Sequence, residues 1–237
     1  YIDTNITGTY NVLNAAKTNN VSKTIITSTS EVYGTAQKIP ILESHLLNAQ
    51  SPYAASKIGA DQLALSFYKS YGLPLTILRP FNTFGPRQSA RAIIPTIITQ
   101  LLQKKNVIKL GNLTPTRDFT YIEDTVNAFL SAMRAKKILG AVINIGNRFE
   151  ISIKDILKII NNDFGYDFDV KIDKKRIRGK NSEVYRLYAS NTKAAKILKW
   201  HPKYSGLKGF KKGLEKTINW FSEPKNLKYY NSDIYNI

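Results

Sequence analysis

The 237 residues, 43% of them hydrophobic, suffice for one large domain or for a domain plus a small lobe. No stretch approaches the roughly 18 apolar residues of a membrane span, and "YIDTNITGTY" lacks signal-peptide character, so a soluble cytoplasmic protein off the membrane is expected. Zero cysteines exclude disulfides and thiol nucleophiles, and two isolated histidines, His45 and His201, argue against a Ser-His-Asp triad and leave no metal site in prospect. The formal charge of +18 favours anionic partners. Its lysines are scattered through "KDILKII", "NTKAAKILK" and "GFKKGLEK" at polar helix positions, which reads as a lysine-rich surface spread over many helices and not as a nucleic-acid stripe, while a small anionic substrate such as a nucleotide needs only a few well-placed arginines.

Taken in chain order, residues 1–19 place Ile6, Tyr10, Leu13 and Ala16 or Lys17 at helical spacing, and "KTIITSTS" follows as a short β-branched strand. The next helix, "SPYAASKIGADQLALSFYKSYG", opens at Ser51 with Pro52 in its first turn and stops at Gly72. "LPLTILRPFNTFG" reads as a buried strand running into a loop. Helix "AIIPTIITQLLQKK", strand "NVIKLGN", helix "EDTVNAFLSAMRAKK" and strand "AVINIGN" come after it. This alternation predicts an α/β fold, a parallel sheet with helices on its faces.

From about residue 150 the texture changes. Helix "SIKDILKIINNDFG", strand "DFDVKID", a polar basic segment "KKRIRGKNSEVYR" and helices "NTKAAKILKW" and "GLKGFKKGLEKTINWF" suggest a smaller lobe. The expected division is therefore 1–150 for the sheet domain, with excursions to the lobe, and 151–237 mainly for the lobe and the last helices. The terminal "NLKYYNSDIYNI" has no clear period and is expected to be loosely held. Gly206, Gly209 and Gly213 in "GLKGFKKG" have the wrong spacing for a dinucleotide fingerprint and follow no apolar strand, so they are expected to begin a lysine-rich helix.

The chemistry-bearing pair is Tyr53 and Lys57, four apart and so neighbours on one helix face. A phenol is a poor base at neutral pH, but a nearby ammonium stabilises its phenolate. Such a pair can take a proton from an alcohol while a hydride leaves the same carbon. In an open α/β sheet ligands bind beyond the carboxyl ends of the strands, and the strand ends "TSTSE" and "RPFN" converge there with the start of the Tyr-Lys helix.

With those residues in place, the sequence resembles the extended short-chain dehydrogenase/reductase superfamily, specifically its NAD-dependent nucleotide-sugar epimerases and dehydratases. The segments that carry the resemblance, in order along nearly the whole chain, are "NITGTYNVLNAA", "STSEVYG", "SPYAASK", "LRPFNTFGPRQ", "RDFTYIEDTVNAF" and "SEVYRL". The resemblance implies a Rossmann-like doubly wound parallel sheet with a small C-terminal α+β substrate lobe. It implies NAD as cofactor and a nucleotide sugar as substrate. Tyr53 would accept the proton of the sugar 4-hydroxyl with Thr29 sharing that hydrogen bond, and Lys57 would hold the nicotinamide ribose and keep Tyr53 acidic. Pro80 and Ser28 would lie on the cofactor side. Asn82 would reach the substrate phosphate, Arg117 and Arg178 would clamp the diphosphate, and Arg87 and Arg91 would assist, a use that suits the guanidinium fork.

Glu31 separates the chemistries. Oxidation at C4 followed by reduction from the other face requires no further base, whereas a 4,6-dehydratase must also remove the C5 proton and expel the C6 hydroxyl as water. Ser30 with Glu31 is similar to the GDP-mannose dehydratase pattern, and Glu31 would serve as base and, through its gained proton, as acid. UDP-glucuronate decarboxylases share Ser-Thr-Ser-Glu. The run "NTFGPRQSARAIIPTIITQLL" with "LTPTRDFTYIEDT" is most similar to bacterial dehydratases of nucleotide-linked N-acetylglucosamine in legionaminic acid synthesis. The expected activity is thus 4,6-dehydration, with 4-epimerisation, decarboxylation, or an inactive binding or dimerising fragment as alternatives.

The resemblance also implies a part that these residues do not include. Relatives carry a Gly-rich turn in a first βαβαβ half ahead of "YIDTNITGT", so roughly 60 residues or more are expected to precede it. Relatives pair through the Tyr-Lys helix, and a homodimer through the Tyr53/Lys57 helix is expected here.

Overall fold

The structure, a computed structural model, describes residues 1–103 and 106–230. Lys104 and Lys105, at the end of an expected helix, and 231–237 of the terminal tail lie outside the described residues.

The first expected helix divides in two, a π-helical turn Ile2–Thr7 and then α1, Gly8–Thr18. Strand β1 (Thr24–Thr27) follows, then a short 3-10 turn at Ser30–Tyr33. Helix α2 (Pro52–Tyr71) has the ends its sequence announces. The Ser51 hydroxyl accepts Ala54 N–H at 3.1 Å, Pro52 stands where no amide is needed, and Gly72 closes the helix at φ 65°. Its buried face is mostly small, with Ala54, Ala60 and Ala64 1% exposed or less, so the helix sits close to the sheet and short polar side chains on that face reach the strands.

Strand β2 (Leu75–Pro80) lies between β1 and β6 (Val142–Ile145) in a parallel sheet, with Ile26 opposite Ile77 and Leu78 opposite Ile143. Helices α1 and α2 pack with β1 and β2 around Leu13, Phe67 and Ile77. Helix α4 (Ile122–Arg134) contributes Ala128 and Ala132 to a second cluster with Leu78, Ile143 and Ile145. This is the Rossmann-like α/β arrangement expected, a parallel sheet clad by helices.

"LPLTILRPFNTFG" does not form one strand. Pro80 carries no N–H to continue the ladder, and after Phe81, whose amide still bonds Ile145 O at 2.8 Å, the chain enters a different sheet as β3 (Asn82–Phe84). There β3 pairs parallel with β5 (Thr116–Tyr121), and β5 pairs antiparallel with β7 (Glu150–Ser152). Helices α3 (Ile93–Leu102), α5 (Ile153–Phe164) and α7 (Gly206–Ser222) cover this sheet, and Phe84, Phe119 and Phe210 lie in one buried cluster with Ile97 and Ile156. "GLKGFKKG" opens α7, as its spacing predicts.

A small parallel pair, β4 (Val107–Leu110) and β8 (Asp169–Ile172), completes the second region. Helix α6 (Thr192–Leu198) returns to the first, packing Ala194 and Leu198 beside β6, and a short α8 (Pro224–Leu227) follows α7. The second core thus draws on residues from Phe84 to Phe221, so the chain passes between the two regions more than once.

Candidate active site

The site forms where β1, β2 and β5 meet α2. At the carboxyl end of β1, Thr29 caps the 3-10 turn by accepting Glu31 N–H on its hydroxyl at 3.2 Å. The turn ends at Gly34, whose φ of 62° and whose nearness to Asn48 O and Gln50 Oε1, both 2.6 Å from where a Cβ would stand, require glycine. Tyr53, in the first turn of α2, shares a hydrogen bond with Thr29. Lys57 Nζ donates to Thr27 O at 2.7 Å. Four predicted residues, Thr29, Glu31, Tyr53 and Lys57, are therefore brought together by two elements.

Burial pushes the Tyr53 phenol above its ordinary value and Glu31 and Tyr1 add to that, while the Thr29 hydrogen bond opposes it. The Tyr1 ring stands edge-on to Tyr53 at 5.7 Å. Lys57 reaches instead for the β1 backbone, and burial pulls its ammonium below the usual lysine range with Asp61 opposing.

Beyond Glu31 opens a cleft of about 260 Å³, lined among others by Asn82, Gln88, Arg91, Arg117 and Arg178. Arg117 points into it from β5 while its neighbour Asp118, on the opposite face, accepts the amides of Asn147, Arg148 and Ala189 at 2.7, 2.9 and 3.1 Å. Burial pushes Asp118 up to about 7 against the pull of those amides. Arg117 donates to Thr116 O at 3.0 Å and stands 3.5 Å from Glu183. Burial pulls its guanidinium below the ordinary range while Glu31 and Glu183 oppose and Arg178 adds to the fall. Asn82 Oδ1 and Gln88 Oε1 are buried acceptors without a hydrogen-bond partner, Gln88 being anchored through Nε2 to Thr83 O at 2.7 Å.

Three predicted residues sit otherwise than expected. Ser28 is 5% exposed and its hydroxyl donates to Asp61, so its side chain faces the interior and not a cofactor. Ser30 is 2% exposed at the start of the 3-10 turn, which removes its hydroxyl from any open surface. Arg87 is exposed, at φ 64°, and does not line the cleft, because the tight turn after Gly85 carries it outward. Arg91 and Arg178 are exposed at the cleft.

Sequence reading missed others. Asn5 in the π-helical turn donates to Ser56 Oγ at 2.9 Å, which in turn donates to Tyr53 O at 2.7 Å. Gln50 ties the loop before α2 to the Arg178 segment by donating to Asn181 O and Glu183 O, each at 3.1 Å. Arg176 lines the cleft as well, and its backbone lies against Gly111, where a Cβ would stand 2.4 Å from Arg176 O.

For a dinucleotide, the residues present fit one end. Thr29, Tyr53 and Lys57 with half-buried Pro80 form a ledge at the strand ends suited to a nicotinamide ribose. No Gly-rich strand-turn-helix for a pyrophosphate occurs in the sequence.

The family model for GDP-mannose 4,6-dehydratase matches residues 1–215. The chain belongs to the GDP-mannose 4,6-dehydratase family. Its relatives there include a UDP-N-acetyl-α-D-glucosaminuronate decarboxylase of Bacillus cytotoxicus, 35% identical over 95% of this chain and 71% of the relative. Among solved structures, the UDP-glucuronic acid 4-epimerase of Bacillus cereus, complexed with UDP-glucuronic acid and NAD, superposes with a TM-score of 0.86 at 32% identity, covering 94% of this chain and 68% of that one. A double mutant of the dTDP-glucose 4,6-dehydratase of Streptomyces venezuelae, with NAD bound, gives 0.84 at 27% identity, covering 95% and 67%. These neighbours are NAD-bound enzymes. The chain spans 69%, 66% and 60% of the length of three further curated relatives. Among the described residues no helix is long and apolar enough to cross a membrane.

Proposed function

We propose that this chain carries the reacting surface of an NAD-dependent nucleotide-sugar 4,6-dehydratase, acting on a UDP- or GDP-linked N-acetylglucosamine or a related hexose in surface-glycan synthesis. The observation that supports dehydration over plain epimerisation is Glu31. It is a cleft-lining carboxylate within electrostatic reach of both Tyr53 and Arg117, so it stands between the proton-accepting pair and the anion-holding arginines.

Tyr53 takes the proton of the 4-hydroxyl, with Thr29 sharing the hydrogen bond and fixing the phenol's direction. Lys57 and Pro80 would hold a nicotinamide, which would supply a hydride acceptor and, later, a hydride donor. Glu31 removes the C5 proton made acidic by the C4 ketone and passes it to the departing C6 oxygen, which leaves as water; the C5–C6 double bond so formed is closed by return of the hydride to C6 and a solvent-derived proton to C5. Arg117 and Arg178, assisted by Arg91, hold the diphosphate, and Asn82 meets the phosphate side of the sugar. The homodimer belongs to the same reading, through α2 and the neighbouring α1, where Tyr10 and Tyr71 are 48% and 58% exposed.

The test is proton NMR of the products formed from UDP- and GDP-linked N-acetylglucosamine with NAD. A new methyl signal, a doublet in water that collapses to a singlet in deuterium oxide as C5 takes solvent deuterium, is the dehydratase result. A C4 epimer would overturn it in favour of an epimerase, carbon dioxide from UDP-glucuronate in favour of a decarboxylase, and binding without turnover in favour of an inactive fragment. In Glu31→Gln, C4 oxidation persists while methyl formation falls by about 10²–10⁴-fold. Equal loss of both steps would remove Glu31 from its role.

A further inference from the structure

Helix α2 grips the end of β1 at three successive turns. Tyr53 bonds Thr29, Lys57 Nζ donates to Thr27 O at 2.7 Å, and Asp61, one turn further, accepts Ser28 Oγ at 2.8 Å. Asp61 is wholly buried, and the oxygen that takes Ser28, Oδ2, also accepts Arg79 Nε at 3.0 Å and lies 2.9 Å from Arg79 Nη2. Three donors crowd one oxygen. The other, Oδ1, is buried with no hydrogen-bond partner.

A bare carboxylate oxygen in the interior needs a reason. On the same face of α2, four residues back, stands Lys57. Among the described residues the charge that acts on that lysine is Asp61's, and Asp61 is joined in turn to Arg79 from β2, Arg79 Nη1 to Tyr33 at 2.8 Å with Glu43 acting on that phenol, while Glu31 acts on Tyr53 one turn before Lys57. Asp61 and Lys57 favour each other's charged forms, against burial that disfavours both.

We propose that Asp61 is a positioning residue for the Tyr53–Lys57 pair, the fixed counter-charge that keeps Lys57 an ammonium at the strand end and, with Arg79 and Ser28, sets the height of α2 against β1. It acts through Lys57 and touches neither sugar nor cofactor. The role rests on the reading of Tyr53 and Lys57 as the working pair, and draws on a carboxylate whose Oδ2 is committed to Ser28 and Arg79 while its charge still acts on Lys57.

The experiment reads Lys57 directly, without substrate or NAD, so its failure is distinguishable from failure of the dehydratase reading. Lysines of the full chain are labelled by reductive methylation across a pH series, and the midpoint for Lys57 is taken from its peptide by mass spectrometry. Asp61→Asn is expected to lower that midpoint by about one pH unit, with Asp61→Glu restoring most of it. The double variant Asp61→Asn/Arg79→Gln removes both buried charges and, should the single variant not fold, is expected to lower the midpoint in the same direction but by less, because the opposing Arg79 charge is lost as well. A midpoint unmoved in either folded variant reduces Asp61 to a structural anchor and overturns the proposal. A wild-type midpoint already more than about two units below the ordinary lysine range overturns it without any variant.

Discussion

Two clusters of charge lie within a few residues of each other along β2, β3 and β5, and they are finished differently. Beneath α2, Asp61, Arg79, Tyr33 and Asn144 are 3% exposed or less and bond one another: Arg79 to Asp61 and Tyr33, Tyr33 to Asn144 Oδ1 at 2.8 Å, Asn144 to Ile41 O at 3.1 Å. In the cleft, Arg91 and Arg178 are exposed, Arg117 holds Glu183 only at 3.5 Å, and two buried acceptors, Asn82 Oδ1 and Gln88 Oε1, have no partner. Apart from Asp61 Oδ1, which has no hydrogen-bond partner, the first cluster is bonded within the chain and ties α2 to the strand ends. The other leaves donors and acceptors facing a cavity, which is how a fold looks where a ligand supplies the missing half.

The comparison breaks most visibly in stability. Arg79→Met leaves the Asp61 carboxylate buried without its ion partner, and removing one member of a buried pair costs about 3–5 kcal/mol. Arg178→Met, at the exposed rim, is expected to leave the urea midpoint unchanged. Comparable midpoints for the two variants would mean that the inner network contributes no more than the rim, and the distinction would fall.

Ligand binding reverses the ranking. Calorimetric titration with UDP and GDP is expected to show about a tenfold to hundredfold loss in Arg117→Met, from hydrogen bonds to a charged group worth about 1.5–3 kcal/mol. A smaller loss is expected in Arg178→Met and none in Arg87→Met, whose side chain lies outside the cleft. Equal losses at Arg87 and Arg117 would indicate a diffuse field from the net charge of +18 instead of a clamp.

How much of this was legible in the sequence differs along the same divide. Helix α2 announces itself by Ser51, Pro52 and Gly72, and Tyr53 with Lys57 follows from its period, because caps and periodicity are local. Strand β5 was read only as a motif, since Arg117 and Asp118 put buried charges where a buried strand is expected to be apolar. The break between β2 and β3 depends on a single missing N–H at Pro80 and on which neighbour the next residues meet. The family resemblance puts Ser28 on the cofactor side. Its hydroxyl turns inward to Asp61, 33 residues away, and Gln50 reaches Glu183 over 133 residues, partnerships no spacing rule contains.

The smallest effect sharpens the comparison most, because it concerns Tyr53, which Glu31 reaches from the cleft side and which shares helix α2 with Asp61. The Tyr53 phenol is raised by burial, by Glu31 from the cleft side and by Tyr1, and lowered by the Thr29 hydrogen bond. The phenolate absorbance of Tyr53, obtained as the difference from Tyr53→Phe, should therefore appear at higher pH in Thr29→Val, where a stabilising donor is gone. It should appear at lower pH in Glu31→Gln, where a neighbouring negative charge is gone. Lys57→Met should move it little in the chain by itself, because the ammonium is held on Thr27 O and acts with Asp61. If Lys57→Met instead raised the onset as much as Thr29→Val, the lysine would be acidifying the phenol directly, as helix spacing alone suggests. The inner network would then set the chemistry of the outer one without any help from a bound ligand.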